Sequence, residues 1–395
     1  MQHAPMRPSG GRAMHARRLG AICMGLGLGT AALAAPPPLA TEHLTVATLG
    51  PPSPHWAYVL DLATNNETDE RLLVFDADRN EHLGQIDAGY YPSFAQSADG
   101  KTTAAVTTYW SRGWHGTRTD VVEFTDNTTL NYTHEILLPP KRMQGPPSAF
   151  GAAFSADQRF LYVANLTPAA SFTVVDLGKK AVAGEIETDG CVLVIPSGPR
   201  RVSSLCESGR LLTVTLDETG HEASRALSKP FFDADKDPIF VQGTRNGSGV
   251  LFVSFLGDVY GVDLSGAEPK FAATWPLVTP AERGTWRPSG NQLVAYQPRR
   301  ERLYVPMHVG GEGSHKVGGS EIWAFDAAKH QRLARWKFDP KRYGAIVAVQ
   351  VTQDEKPLLF ALTDTSALLV LDPDSGKIKH VEGKVGQSAW YLVNP

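Results

Sequence analysis

Leu73-Val74-Phe75-Asp76 opens a series of apolar stretches that end in aspartate: Val174-Val175-Asp176, Val259-Tyr260-Gly261-Val262-Asp263, Ile322-Trp323-Ala324-Phe325-Asp326 and Leu369-Val370-Leu371-Asp372. Looser copies stand at Phe124-Thr125-Asp126 and Val214-Thr215-Leu216-Asp217. The aspartates at 76, 126, 176, 217, 263, 326 and 372 are therefore spaced by 50, 50, 41, 46, 63 and 46 residues. A period of this size, built from short strands, is that of a four-stranded propeller blade. A blade buries its faces only against its neighbours, so the repeats must close into a ring. The pattern predicts an all-β chain forming one seven-bladed β-propeller over residues 46–395.

Turn chemistry recurs at a fixed place within the repeats. Ser97-Ala98-Asp99-Gly100-Lys101, Ser155-Ala156-Asp157-Gln158-Arg159 and Thr352-Gln353-Asp354-Glu355-Lys356 precede strands such as Phe160-Leu161-Tyr162-Val163 and Leu358-Leu359-Phe360-Ala361. Asp and Gly suit such turns because they bond their own backbone or tolerate positive φ. No long amphipathic helix is expected; a helical turn is predicted near Thr279-Pro280-Ala281-Glu282-Arg283. Four longer loops interrupt the repeat, at 109–118, 139–147, 229–238 and 307–316, and the last accounts for the 63-residue gap. Insertions of this kind carry a propeller's ligands and partners.

The N-terminus reads as an address. Arg17 and Arg18 precede an apolar run from Leu19 to Leu33, which closes on Ala32-Leu33-Ala34 and is followed by Ala35-Pro36-Pro37-Pro38. This predicts a signal peptide over residues 1–34, cut after Ala34, then a flexible segment over 35–45 and a periplasmic mature chain. The run is too short for an ordinary membrane span. Met14 is an alternative start, and the arginine pair also permits twin-arginine export. Cleavage removes Arg7, Arg12, Arg17 and Arg18 and no acid, taking the formal charge from −3 to about −7. A net negative charge argues against nucleic acid as a partner.

Cys191 and Cys206 remain, an even pair in an oxidising compartment. They are either two buried thiols or a disulfide closing a loop of about 15 residues, worth roughly 3 kcal/mol in the chain-entropy model. The intervening Val192-Leu193-Val194-Ile195-Pro196 and Gly198-Pro199-Arg200-Arg201 read as strand, turn and strand. Such a hairpin brings the Cα atoms within the ~4.4–6.8 Å that the bond requires.

No self-contained catalytic constellation is present, and no catalytic residue or metal ligand is assigned to this chain. His308 and His315 flank a glycine-rich loop that also holds Glu312, but their spacing fits no metal motif, and a surface loop is expected. The strand-end aspartates lack the spacing of a calcium loop and are expected to cap turns. There is no G-x-S-x-G elbow and no P-loop. Tyr90-Tyr91-Pro92, Tyr109-Trp110 and Trp114 gather around one strand, either for recognition at a loop face or for packing between blades. Pro92 biases Tyr91 toward extended geometry.

Several segments resemble the heavy subunit of the quinoprotein amine dehydrogenases, the methylamine and aromatic amine dehydrogenases. They are Thr107-Thr108-Tyr109 with Arg118-Thr119-Asp120-Val121-Val122-Glu123, Leu138-Pro139-Pro140-Lys141-Arg142, Thr285-Trp286-Arg287-Pro288-Ser289-Gly290, Val294-Ala295-Tyr296 with Arg302-Leu303-Tyr304-Val305, and Gln353-Asp354-Glu355-Lys356-Pro357-Leu358-Leu359. The likeness spans nearly the whole mature chain, and Cys191 and Cys206 fall where the family has its heavy-chain disulfide. It implies oxidative deamination of primary amines to aldehyde and ammonia, in an α2β2 assembly with a small light chain. The light chain carries the cofactor, tryptophan tryptophylquinone, and a blue copper protein, amicyanin- or azurin-like, takes the electrons. The heavy chain scaffolds the light chain and helps wall the substrate channel. A family phenylalanine stands at that channel, and the position matching it here is Tyr90, counted back from the Ser97-Ala98-Asp99-Gly100 turn. Strings typical of both the methylamine and the aromatic-amine branch are present.

The competing class is a stand-alone periplasmic propeller, either a binding module or a lactonase-like hydrolase with a metal in its central channel. A hydrolase of that kind needs inward Asp, Glu, Asn or His side chains from several blades.

Overall fold

Each of the seven apolar stretches ending in aspartate forms the third strand of an antiparallel sheet, counted from the ring's centre; five sheets have four strands, and in the other two one of the four positions is split into two short strands. The computed structural model describes residues 48–64 and 67–393. The expected signal peptide (1–34) and flexible segment (35–45) lie outside the described residues. The seven sheets are the blades of a β-propeller. In blade 2 the strands run outward as Tyr90–Gln96, Thr102–Arg112, His115–Asp126 and Asn131–Leu138.

Middle strands are buried on both faces, and their sequences are continuously apolar for that reason. Phe160–Asn165 and Ser171–Asp176 of blade 3 are buried throughout. Outer strands alternate or are largely exposed, as Asn131–Leu138 and Glu222–Leu227 are. The apolar core is not central. It divides into seven clusters, each joining two adjacent blades, so that every seam of the ring is filled once.

Ring closure uses the two ends of the described chain. Ala389–Val393 is the innermost strand of blade 1 and pairs antiparallel with Trp56–Asp61, setting Tyr58 opposite Val393 and Leu60 opposite Tyr391. The remaining strands of that blade are Glu70–Asp76 and Glu81–Ala88.

Antiparallel meandering sorts the connections onto two ends. Turns between first and second strands, and between third and fourth, lie at one end. There the repeated aspartates do what their position suggests. Asp76 accepts the Asp78 and Arg79 amides at 2.9 and 3.1 Å, Asp217 the Thr219 amide at 2.7 Å, and Asp372 the Ser375 amide at 2.9 Å. Ser97 and Ser155 donate to Asp99 and Asp157, each at 2.6 Å, within the first turns of their blades. The links between blades and the loops between second and third strands lie at the opposite end. All four long loops read from the sequence belong to that end, called here the loop face.

One expectation is met and one needs correction. The chain makes a single turn of helical hydrogen bonding at Thr279, whose carbonyl accepts the Arg283 amide at 3.1 Å, and the two short helices described are Pro298–Arg300 and Pro340–Tyr343. Proline at the first helical position suits both. The 63-residue spacing also reflects more than a long loop. The first strand of blade 6 is split into Trp286–Pro288 and Ala295–Gln297, both paired with Arg302–Val309. Gly290 between the pieces has φ +104°, and a Cβ there would meet the Val347 carbonyl at 2.5 Å, so the two inner strands touch through glycine.

Cys191 and Cys206 are bonded, joining the first two strands of blade 4 (Cys191–Gly198 and Arg201–Cys206). Their Cα atoms are 3.9 Å apart, closer than the expected span. The two residues stand directly opposite each other, and neither amide bonds across to the other: Cys191 donates to Thr188 and Cys206 to Arg210. Such non-hydrogen-bonded pairs are the closest in an antiparallel ladder.

Candidate functional site

At the loop face, blade 1 ends on Ala88, and after Gly89 alone the chain enters blade 2 at Tyr90. The passage is tight: a Cβ on Gly89 would lie 2.4 Å from the Thr108 carbonyl and 2.9 Å from the Tyr109 ring. Tyr90 and Tyr91 are half-buried, their rings edge to face at 4.7 Å, and neither belongs to a seam core. The extended geometry expected for Tyr91 is not found. Its φ is +42°, and the register with the second strand shifts between Tyr90 and Ser93. The bias from Pro92 is overridden because the carbonyls of Tyr90 and Tyr91 both turn toward one guanidinium, that of Arg142.

Arg142 comes from the link between blades 2 and 3 and is only 1% exposed. Its side chain donates to the Tyr90 carbonyl, to the Tyr91 carbonyl at 2.8 Å, to the Met143 carbonyl at 3.0 Å and, through Nε, to Thr108 Oγ1 at 2.7 Å. Thr108 in turn donates to Asp120 Oδ1 at 2.7 Å. The Asp120 carboxylate, 1% exposed, is gripped at 2.8 and 2.7 Å by Arg118. Burial lowers the Arg142 pKa to about 10, while Asp120 works against that fall.

Beneath the tyrosines lies Glu70, at the start of the third strand of blade 1 and fully buried. Among the described residues neither carboxyl oxygen makes a hydrogen bond of good geometry, and the nearest donor is the Tyr91 amide, which favours the ionised form. Burial pushes its pKa up to about 8, with Glu67 adding to the rise and Arg142 opposing it. Burial, followed by Glu67, also holds the Tyr90 and Tyr91 phenols above their ordinary pKa, so both stay protonated at neutral pH. The sign of the Glu70 effect is testable. The folded chain keeps a proton that the unfolded chain releases above about 4.5, so this contribution to stability is lost as pH rises through about 8. Thermal unfolding should show a decline over that window that Glu70→Gln flattens, with the variant melting above the parent at pH 9. Parallel pH profiles would refute the assignment.

The other aromatics singled out in the sequence border this cluster on the second-to-third strand hairpin of blade 2. Tyr109 is 39% exposed and donates to Glu123 Oε2 at 2.8 Å, and Trp114 is 77% exposed against His115. Neither belongs to a seam cluster, although the Tyr109 ring lies against Gly89 at the passage from blade 1 to blade 2. His308 and His315 do not converge. His308 is buried with Nε2 2.9 Å from Ser314 Oγ, whereas His315 stacks on Phe255 at 4.1 Å. Among the described residues no group of three or more His, Cys, Asp or Glu is arranged to hold a metal.

A cavity at the inner edges of blades 5, 6 and 7 is lined by Gln242, Gln292, Gln350 and Gln353, with no Asp, Glu or His among its lining residues. Two of the glutamines tie together segments of blades that are not adjacent in the ring. Gln292 exchanges two bonds of 2.9 Å with the Leu392 backbone, and Gln242 donates to the Pro147 carbonyl at 2.7 Å.

A profile of the methylamine dehydrogenase heavy chain family matches residues 54–391, nearly the whole propeller. The chain belongs to this family. It is 26% identical to the methylamine dehydrogenase heavy chain of Methylophilus methylotrophus over 324 residues, covering 81% of this chain and 78% of that one. It is 28% identical to the heavy chain of Paracoccus versutus over 313 residues, covering 77% and 71%. Among solved structures, a periplasmic gluconolactonase of Pseudomonas aeruginosa superposes with a TM-score of 0.57 at 13% identity, over 86% of this chain and 99% of that one. A dihydro-heme d1 dehydrogenase does so with 0.54 at 14%, over 87% and 66%. Likeness at that identity shows the propeller fold alone.

A second aromatic cluster lies in blade 6. The tryptophans Trp286 and Trp323 lie 5.1 Å apart, with the Arg335 guanidinium over both rings at 4.3 and 4.6 Å. The Trp323 indole N–H donates to Glu321 at 2.6 Å. This pair is capped by charge. Arg142 and Glu70 were missed in the sequence, although Arg142 closes one of the strings that carried the resemblance.

Proposed function

We propose that this chain is the heavy subunit of a periplasmic amine dehydrogenase, assembled as two heavy and two light chains. The complex oxidises primary amines to aldehyde and ammonia and passes the electrons to a blue copper protein of the amicyanin or azurin kind. The light chain holds tryptophan tryptophylquinone, which supplies the electron-accepting chemistry. The heavy chain seats the light chain on its loop face and contributes Tyr90 to the wall of the substrate channel.

The observation that carries this reading, beside family membership, is the composition of the loop face. Exposed apolar side chains from four blades gather there: Tyr109, Trp114, Leu166, Val241, Val309 and Val317. A surface with so many uncovered apolar side chains favours a protein partner. The channel aromatic lies at the same face, so one docking event covers the apolar surface and brings the partner's cofactor toward Tyr90. Export is supported by the signal reading of residues 1–34. Among the described residues no helix is long and apolar enough to cross a membrane.

Tyr90 tests the channel. Its ring is half-buried and outside the seam cores, so it is free to select by shape without holding the fold together. Adding or removing apolar bulk in a pocket shifts discrimination by roughly 1–3 kcal/mol per small group. Tyr90→Ala should therefore change the kcat/KM ratio of methylamine to benzylamine by about tenfold or more, with the spectrum of the assembled enzyme intact. If the variant instead loses melting temperature and light-chain binding while the ratio stays put, Tyr90 is packing and not channel.

A further inference from the structure

We infer that Arg142 is the positioning residue for Tyr90, and sets amine selectivity without touching the amine; this rests on the reading of Tyr90 as channel wall. A guanidinium that is 1% exposed is costly to bury, and such groups are normally paired with a carboxylate. Among the described residues the Arg142 side chain makes no hydrogen bond to one. It spends its donors on three backbone carbonyls and the Thr108 hydroxyl, and two of those carbonyls belong to the consecutive residues Tyr90 and Tyr91. The negative charge that balances it is Asp120, which accepts from the Arg142 backbone N–H at 3.3 Å but meets the side chain only through Thr108. Thr108 passes the contact on to Asp120, whose carboxylate also accepts from Arg118.

The target of this grip is a bulge. Register shifts between Tyr90 and Ser93, and Tyr91 takes φ +42°, a region that residues other than glycine seldom enter. Bulges re-aim a side chain at a strand end. A left-handed tyrosine persists only where its surroundings over-determine it. Here the two carbonyls are fixed by one planar fork, and the Glu70 carboxyl lies buried on the amide side of Tyr91. Among the described residues the Tyr90 hydroxyl has no hydrogen-bond partner, so the direction of the ring is inherited from its backbone. Arginine is required for this because a lysine ammonium is a point cation and cannot hold two carbonyls and a hydroxyl in one plane.

A merely structural Arg142, stapling the 139–147 link to blade 2, makes a different prediction, and a double-mutant cycle separates the two. In the assembled heavy–light enzyme, Arg142→Lys should move the methylamine to benzylamine kcat/KM ratio by about fivefold in the direction of Tyr90→Ala, mainly through KM. Combined with Tyr90→Ala it should add nothing further, because the residue it aims is gone. In the heavy chain by itself, hydrogen exchange should quicken at the amides of Tyr91, Ser93 and Phe94 and nowhere in blades 4 to 6. Should Arg142→Lys fail to assemble, Thr108→Val leaves the guanidinium in place but removes its Nε acceptor, together with that hydroxyl's bonds to Asp120 and Gln144, and should give the same pattern at about twofold. A Tyr90→Ala effect with an unmoved ratio in the Arg142 and Thr108 variants, or with fully additive shifts, overturns the proposal. A flat ratio in Tyr90→Ala alone brings down the channel reading itself and the selectivity role with it.

Discussion

Purified by itself, this chain should reduce no quinone-linked dye with a primary amine as donor, and should gain that activity only with its light chain. The expectation follows from the chemistry of the groups at the loop face. Amine oxidation removes two electrons, and the side chains gathered there are not electron acceptors. Tyr90 and Tyr91 are protonated phenols, Arg142 is committed to carbonyls, and Asp120 is bound by Arg118. They can shape a channel, exclude water and hold an aromatic ring in one direction. Rate gains of this kind come from orientation, and they need a reactive group to orient. The measurement is dye reduction by the single chain, then by the same preparation mixed with light chain or captured with it from the native periplasm. Turnover by the single chain, at a level comparable with the complex, would assign the chemistry to the wrong subunit.

Removing the Cys191–Cys206 bridge should cost roughly 3 kcal/mol, the value expected for closing a loop of about 15 residues. The bridge ties the first two strands of blade 4 at the loop-face end of their hairpin. Both cysteines are buried in the seam between blades 3 and 4, among Tyr162, Phe172, Val194 and Leu212. Replacing both by serine would leave two hydroxyls in that apolar seam, so Cys→Ala at both positions is the cleaner variant. Its denaturation midpoint should fall while the loop-face selectivity stays as in the parent, since Tyr90 lies in blade 2. Thiol labelling of the mature oxidised chain should find no free cysteine. A double-alanine variant within about 1 kcal/mol of the parent would show that the hairpin's own ladder suffices.

The parts legible from sequence are those with short range. A third strand covered on both faces must be continuously apolar, and its exit turn needs a side chain that bonds its own backbone. Together these stamp Val-Val-Asp or Leu-Val-Leu-Asp once per blade, and the count of seven follows. The two cysteines are joined across a hairpin of 15 residues, so strand and turn chemistry alone bring them near each other. Blade 6 was less legible because its first strand is broken in two, with Gly290 pressed against Val347 of the next blade. The resemblance supplied Tyr90 as a position but not its conformation.

What only the tertiary structure decided involves partners far apart along the chain. Arg142 reaches the carbonyls of Tyr90 and Tyr91 across 52 and 51 residues, and turns Tyr91 away from the backbone that Pro92 favours. Glu70 looks like any charged residue at a strand start, yet blade packing buries it wholly and raises its pKa to about 8. Ring closure by Ala389–Val393 against Trp56–Asp61 leaves no local mark, because either strand could pair with any exposed edge of suitable register. Periodicity records which faces a strand must cover. Which blade covers them, and which buried charge then bends a neighbouring strand, is set by contacts that exist only once the ring has formed.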